Sequence, residues 1–518
     1  MIAINSRAKL SKSRLMYSAV AGAFLMALPG QAFAQSGPAA RTPEGRCRAF
    51  LGRSFDGAIV TQATLVAPTG TSPEYCRIHG EMPRDLEFEI HMPTQWNHRT
   101  IFMGGGGFDG TITDASFHAA HFGPHDAGNY ATIATNHGHG GGNQFDGSFA
   151  LDVQMLKDYA YLSVPRVLAS AKMILRERYG AAFQTAKLVY EGCSGGGRQG
   201  LVQAQRYPEL FDGVIARAPA NDYTSIFLTF YKNALQLARP GALLSPAKVQ
   251  LIGAATMAKC DALDGLKDGI IGRPDACTFD PKELACSGAE GASCLTPAQV
   301  ESARAMYAPA TFSNGRYKLP GFPVGGESPR SWLLATGQYV NPLMDGYARY
   351  MLAQDPNSDP MKLDMAKYAA RIDQLSVMLD AVDPDLSAFR AHGGKLLLWA
   401  GLSDWIISAN HTTDYYKNVV AKSGGQSAAD DFVEYYTAPG VQHCAGGTGA
   451  DLADLVTPMF DWLEKGVRPS ASPIIARRFE APVGGAEPIS RPLCRYPNYP
   501  KYTGGNPSRA DSFVCAPS

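Results

Sequence analysis

One stretch constrains this chain more than any other: residues 186 to 200, Ala-Lys-Leu-Val-Tyr-Glu-Gly-Cys-Ser-Gly-Gly-Gly-Arg-Gln-Gly. A β-rich run, Leu188-Val189-Tyr190, meets a turn of small residues, and the pattern predicts a helix from Arg198. Gly192-Cys193-Ser194-Gly195-Gly196 fits G-x-S-x-G, a sharp strand-to-helix turn that lifts a serine hydroxyl into the open. Small residues flank the serine because the backbone is crowded there and Cβ atoms would clash. A plain glycine-rich turn would explain the composition, but not the strand before it and the helix after.

Partners for such a serine follow in order. Lys395–Gly401 is an apolar run that reads as a buried strand, and Leu402-Ser403-Asp404-Trp405 follows its C-terminal end. Ligand groups sit at that end in open α/β sheets. His443 lies in a glycine-rich loop, Gly440-Val441-Gln442-His443-Cys444-Ala445-Gly446-Gly447. The order Ser194, Asp404, His443 is that of the α/β-hydrolases. His443 would take the hydroxyl proton and return it to the leaving alcohol, and Asp404 would fix the imidazole tautomer. Cys193 precedes the serine and Cys444 follows the histidine. A bond between them would hold nucleophile and base side by side across a loop of about 250 residues.

Upstream, Thr100-Ile101-Phe102-Met103 reads as a short strand leading into Gly104-Gly105-Gly106-Gly107-Phe108. Bare backbone N–H groups there can approach a substrate oxygen. Gly107 and Gly195, the residue after the serine, are the expected oxyanion donors, with Gly106 close behind Gly107. Ile59-Val60, Leu86–Ile90, Tyr130–Ala134 and Phe211–Ala216 read as further strands. Leu156 to Tyr179 has helical spacing interrupted by Pro165. Strand, helix, strand, helix, strand predicts an α/β sheet of mostly parallel type.

From about 221 to 381 the rhythm becomes helical and loop-rich, which suggests an inserted lid. The expected organisation is 1–34 leader, 35–220 and 382–518 the two parts of one α/β-hydrolase domain, and 221–381 the lid between them. Asp261, Asp264 and Asp268 fall within eight residues, separated by turn glycines. Such a loop can converge oxygens on a hard cation, which suits Ca²⁺ with its roughly six to eight oxygen ligands. Cys260 and Cys277 could staple its ends. His118, His121, His125, His137 and His139 crowd another segment, and His137-Gly138-His139 resembles the H-x-H of metal hydrolases. No Asp-His follows, so loop polarity or hydrogen bonding to substrate is the better expectation.

Residues 1–34 read as a secretory leader: basic Arg7, Lys9, Lys12 and Arg14, an apolar Leu15–Leu28 and Ala32-Phe33-Ala34 as cleavage site. Its removal takes four positive charges from a net charge of +0, leaving −4. That balance argues against a nucleic-acid partner. No later apolar run approaches about 18 residues, so no membrane association is expected after cleavage. All ten cysteines lie beyond the leader, an even number, and none forms CxxC. Disulfides in a periplasmic or secreted protein are the expectation, with Cys47 and Cys76 pairing locally.

The chain resembles the tannase/feruloyl esterase family over nearly its whole mature length. The matching motifs are Tyr75-Cys76-Arg77, Gly104–Phe108, Gly192–Arg198, Asp261–Ile270, Ser403-Asp404, Gln442-His443-Cys444 and Arg491–Pro497. The resemblance implies a serine carboxylic-ester hydrolase working through an acyl-enzyme on esters of aromatic acids. Feruloyl and hydroxycinnamoyl esters come first, then galloyl esters and terephthalate monoesters; the substrate would be a small molecule or a plant polymer. It implies a structural Ca²⁺ held by the side chains of Asp261, Asp264 and Asp268 and the carbonyls of Leu266 and Ile270. It also implies the pairings 47–76, 193–444, 260–277, 286–294 and 494–515. Trp332 is the expected lid contact for the aromatic group. The rival class, a metal-dependent hydrolase, would use His137 and His139.

Overall fold

The computed structural model describes residues 42–70, 72–113, 129–328, 332, 341–478 and 488–518. The expected leader and His118, His121 and His125 lie outside the described residues. The strands are β1 (Ser54–Phe55), β2 (Ala58–Val66), β3 (Tyr75–Met82), β4 (Leu86–Pro93), β5 (Arg99–Met103), β6 (Ala131–Thr135), β7 (Lys187–Cys193), β8 (Gly213–Arg217), β9 (Ala310–Phe312), β10 (Tyr317–Leu319), β11 (Lys395–Gly401), β12 (Val433–Ala438), β13 (Ile474–Arg477), β14 (Ser490–Arg495), β15 (Tyr499–Tyr502) and β16 (Phe513–Ala516).

Twelve of them form one sheet in the order β1-β2-β3-β4-β6-β5-β7-β8-β11-β12-β14-β13. The fold is α/β, and the expected mostly parallel sheet is found at its centre. From β6 through β5, β7, β8 and β11 to β12 every pairing is parallel. Outside that block, β1 to β4 and the β14–β13 edge pair antiparallel. Short links between β2, β3 and β4 leave no room for the crossover a parallel pair needs.

The central strands are buried on both faces, which is why β8 and β11 read as near-continuous apolar runs; β12 is as fully buried but carries Glu434 and Thr437. Alternate residues enter different cores. Phe102, Leu188, Tyr190, Leu396 and Leu398 pack on one side. Ile101, Met103, Val189, Leu397 and Trp399 pack on the other. The predicted helix around Pro165 is a helix Ser163–Tyr179, preceded by a wide π turn at Asp158–Leu162. Pro165 follows on that π turn, where the Tyr159 and Ala160 carbonyls accept from the Arg198 guanidinium at 3.1 and 3.0 Å.

Between β8 and β11 the main sheet gains no strand among the described residues. That segment supplies the helices Tyr223–Leu237, Pro246–Cys260, Pro297–Tyr307 and Ala369–Leu379, and the small β9–β10 pair. Their apolar faces share a core with Phe108, Phe149 and Tyr159 from the part of the chain before β7. All ten cysteines are paired, 47–76, 193–444, 260–277, 286–294 and 494–515. Such pairing fits an oxidising compartment. Among the described residues no helix is long and apolar enough to cross a membrane.

Candidate active site

Four parallel strands end on the same side of the sheet, and each feeds one part of the site. β7 runs into Ser194, which takes φ 62° and ψ −123°, an unfavourable region for a residue with a Cβ. The crowding anticipated at the elbow is real. A Cβ on Gly192 would lie 2.7 Å from the Gly196 carbonyl carbon, and one on Gly196 would lie 2.5 Å from the Gly105 oxygen. Ser194 N–H donates to the Arg217 carbonyl at the end of β8 (3.0 Å), which ties the turn to the neighbouring strand. Beneath it lies a fully buried ion pair. Arg217 Nε and Nη2 donate to Glu191 Oε1 at 3.0 and 2.9 Å, and the guanidinium lies over the Trp399 ring.

β11 leads to Asp404 and β12 to His443. His443 Nδ1 is 2.7 Å from Asp404 Oδ2, and His443 Nε2 is 2.8 Å from Ser194 Oγ. A carboxylate only accepts, so Nδ1 carries the hydrogen and Nε2 is free to accept from the serine hydroxyl. The other Asp404 oxygen accepts the N–H groups of Ile406 (2.9 Å) and Ile407 (3.0 Å). Asp404 is 2% exposed, so a positive charge on the His443 ring would face a fixed, dry carboxylate. Cys444 adopts φ 62° and is bonded to Cys193, so the bridge joins the neighbours of His443 and Ser194.

The turn carrying Asp404 is clamped from two sides. Ser403 N–H donates to Val441 O (2.9 Å), within the histidine loop. Ser403 Oγ donates to Gly325 O (2.8 Å), within the inserted segment, and a Cβ on Gly326 would lie 2.6 Å from Ser403 O.

β5 leads to the glycine run. Gly196 N–H donates to Gly105 O (3.1 Å), and a Cβ on Gly195 would lie 2.9 Å from Gly107 O and 3.4 Å from Gly107 N. Gly107 and Gly195 are therefore neighbours at the serine. Gly195 opens the helix Gly195–Arg206, so its N–H has no intrahelical acceptor and the positive end of the helix dipole adds to it. Gly107 takes φ +57° against Gln144, a backbone state natural to glycine.

The remaining sequence expectations fall elsewhere. Trp332 is 3% exposed and packs on Tyr307, ring centroids 5.7 Å apart, in the core of the inserted segment. His137 and His139 turn to different partners. His137 Nδ1 is 3.1 Å from Ser163 Oγ and its other nitrogen faces Asp109, while His139 stacks on Phe149 with ring centroids 3.9 Å apart.

Asp261, Asp264 and Asp268 share one turn. Asp261 accepts from the N–H groups of Asp268 and Gly269, Asp264 accepts from Leu266 N–H, and Ile270 N–H donates to Asp268, which also pairs with Arg491. Burial pushes the Asp264 carboxyl up to about 6, with Asp268 and Asp261 adding repulsion. The donors are all hard oxygens, which suits Ca²⁺. Among the described residues, no three acidic, His or Cys side chains stand together at metal-holding distance.

Two features escaped the sequence reading: the Glu191–Arg217 pair and the buried Asp109. An ionisable residue inside the apolar run of β7, one position before the elbow, was the available signal for the first.

The family model described as tannase and feruloyl esterase matches residues 72–516. Mono(2-hydroxyethyl) terephthalate hydrolase of Piscinibacter sakaiensis is 31% identical, over 88% of this chain and 87% of that protein. Feruloyl esterase B of Aspergillus niger is 30% identical, over 96% of this chain and 99% of that protein. Among solved structures, an esterase from Aspergillus oryzae superposes with a TM-score of 0.81 at 26% identity, covering 92% of this chain and all of the other.

Proposed function

The chain belongs to the tannase and feruloyl esterase family, a carboxylic-ester hydrolase of aromatic esters, and from that premise we propose that it cleaves feruloyl and related hydroxycinnamoyl esters through an acyl-enzyme on Ser194. The continuous hydrogen-bonded path from Asp404 through His443 to Ser194 carries this reading. His443 Nε2 takes the hydroxyl proton as Ser194 Oγ attacks the ester carbonyl. The N–H groups of Gly107 and Gly195 hold the oxyanion. The same imidazole then protonates the leaving alcohol, and water repeats the sequence on the acyl-enzyme. The full burial of His137, with Nδ1 engaged by Ser163, supports this reading over a metal-dependent one. In the organisation proposed, residues 221–381 form the lid that covers the site, and a leader directs export to the periplasm or beyond.

Methyl ferulate, methyl gallate and mono(2-hydroxyethyl) terephthalate, compared by initial rate, test the acid preference. Methyl ferulate is expected to turn over fastest. A higher kcat/KM on the gallate or the terephthalate ester moves the assignment to that acid.

Calcium belongs to the same proposal. The side chains of Asp261, Asp264 and Asp268 and the carbonyls of Leu266 and Ile270 would hold it. Its part would be structural, offsetting the crowding of buried carboxylates next to the Cys260–Cys277 bridge. Metal analysis of purified protein should give about one calcium per chain, and EDTA should lower Tm by a few degrees. Protein without calcium whose Tm ignores EDTA speaks against the site.

A further inference from the structure

A second set of buried polar side chains lies directly under the glycine run, and the triad chemistry does not use it. Asp109 follows that run. Its N–H donates to Gly106 O at 2.8 Å, and its carboxyl group sits beneath the preceding glycine: a Cβ on Gly105 would lie 2.7 Å from Asp109 Oδ2. That same oxygen accepts from Gln199 Nε2 at 3.0 Å and stands 3.1 Å from His137 Nε2, an oblique contact rather than a formed hydrogen bond. Tyr190 Oη donates to Gln199 Oε1 at 3.1 Å.

The placement of these partners matters. Gln199 lies on the helix that opens after Ser194, and Tyr190 lies on the strand that ends there. Asp109 thus links the glycine run to both elements that carry the nucleophile. Asp109 and His137 are almost fully buried, at 1% and 0% exposure. Each adopts φ +61°, the left-handed region, although neither is glycine. Residues persist in that region where the surroundings over-determine them, and they gather at functional sites. Burial also pushes the Asp109 carboxyl up to about 8 and the His137 imidazole well below its ordinary range, so it disfavours the charged form of each.

We propose that Asp109 is a positioning residue for ester hydrolysis: braced by Gln199 and packed against His137, it fixes the Gly105–Gly107 backbone at the distance from Ser194 that the developing oxyanion requires. The inference rests on the reading of Gly107 and Gly195 as oxyanion donors. An interaction made only in the transition state shows itself in kcat rather than KM.

The test compares wild type with Asp109→Ala, Asp109→Asn and Gln199→Met. It reads kcat and KM on the preferred ester, inhibition by an aryl boronic acid that mimics the tetrahedral intermediate, and near-UV circular dichroism. Asp109→Ala should lower kcat by about tenfold to a hundredfold with KM within about twofold, and weaken boronate binding by a similar factor. Asp109→Asn keeps the shape and one acceptor and should restore kcat to within about threefold. Gln199→Met removes only the amide and should give a smaller loss of the same form; it decides the matter if Asp109→Ala does not fold. A folded Asp109→Ala or Gln199→Met with wild-type kcat and boronate affinity overturns the brace alone. A wild type that ignores the boronate overturns the reading of the site, and the brace with it.

Discussion

Replacing Ser194 by Ala is expected to lower kcat on the preferred ester by on the order of a millionfold while leaving KM within a few-fold of wild type. The reason is local. Without Oγ, His443 Nε2 has no hydroxyl proton to take and no covalent intermediate can form, while the Gly107 and Gly195 N–H groups and the substrate contacts remain. Asp404→Asn should cost about ten-thousandfold, because an amide on Nδ1 favours the wrong imidazole tautomer. Steady-state kinetics and mass spectrometry after a serine-directed organophosphonate check both. Wild type should gain one adduct on Ser194, and Ser194→Ala none. Substantial turnover by Ser194→Ala would remove the serine from the mechanism. Loss of activity on chelation alone, with the serine variant active, would return attention to the region of His137.

The second large effect is expected from the Cys193–Cys444 bridge. The two cysteines are 251 residues apart in sequence and adjoin Ser194 and His443. The chain-entropy cost of closing so long a loop is about 5 kcal/mol at ordinary temperature, lifted from folding when the link already exists. Replacing both cysteines by Ala should therefore lower Tm by roughly 5 °C, given about 2.1 cal/mol/K of unfolding entropy per residue. The activity of the surviving folded protein should fall too, and in kcat more than in KM. The loop after β12 would lose the tether that keeps Nε2 2.8 Å from Oγ. Calorimetry with kinetics below the transition gives both numbers. A double variant with unchanged Tm and kcat would make the bridge dispensable.

How far the sequence carries depends on how local each feature is. Ser194 and Asp404 were legible because each follows a short apolar run that ends in turn residues, and His443 because it stands in a glycine-rich loop. The ends of β5, β7 and β11 were read the same way, and the family resemblance supplied the pairing of Cys286 with Cys294 and of Cys494 with Cys515. The antiparallel flank was not legible as such. Strand direction depends on which strands meet, and β4 pairs with β6 across β5 in the sequence. Trp332 illustrates another limit. A tryptophan in an inserted segment reads the same whether it faces substrate or the core, and here it packs on Tyr307. Asp109 is the clearest case. Beside four glycines it reads as a turn residue, and only the fold brings Gln199 and His137 to it from 90 and 28 positions away.

The two contacts between Ser403 and the Gly325-Gly326 turn have a consequence for engineering. Swapping inserted segments between relatives is an obvious route to new ester preferences, and it treats the segment as a detachable cap. In this chain the segment holds the turn that carries Asp404 through one hydroxyl-to-carbonyl bond and one backbone contact that leaves no room for a side chain. A transplant therefore has to bring its own Gly-Gly turn and match it to the recipient's serine. Chimeras joined without that match would lose turnover before their selectivity could be measured, whereas point changes inside the cap leave the joint intact.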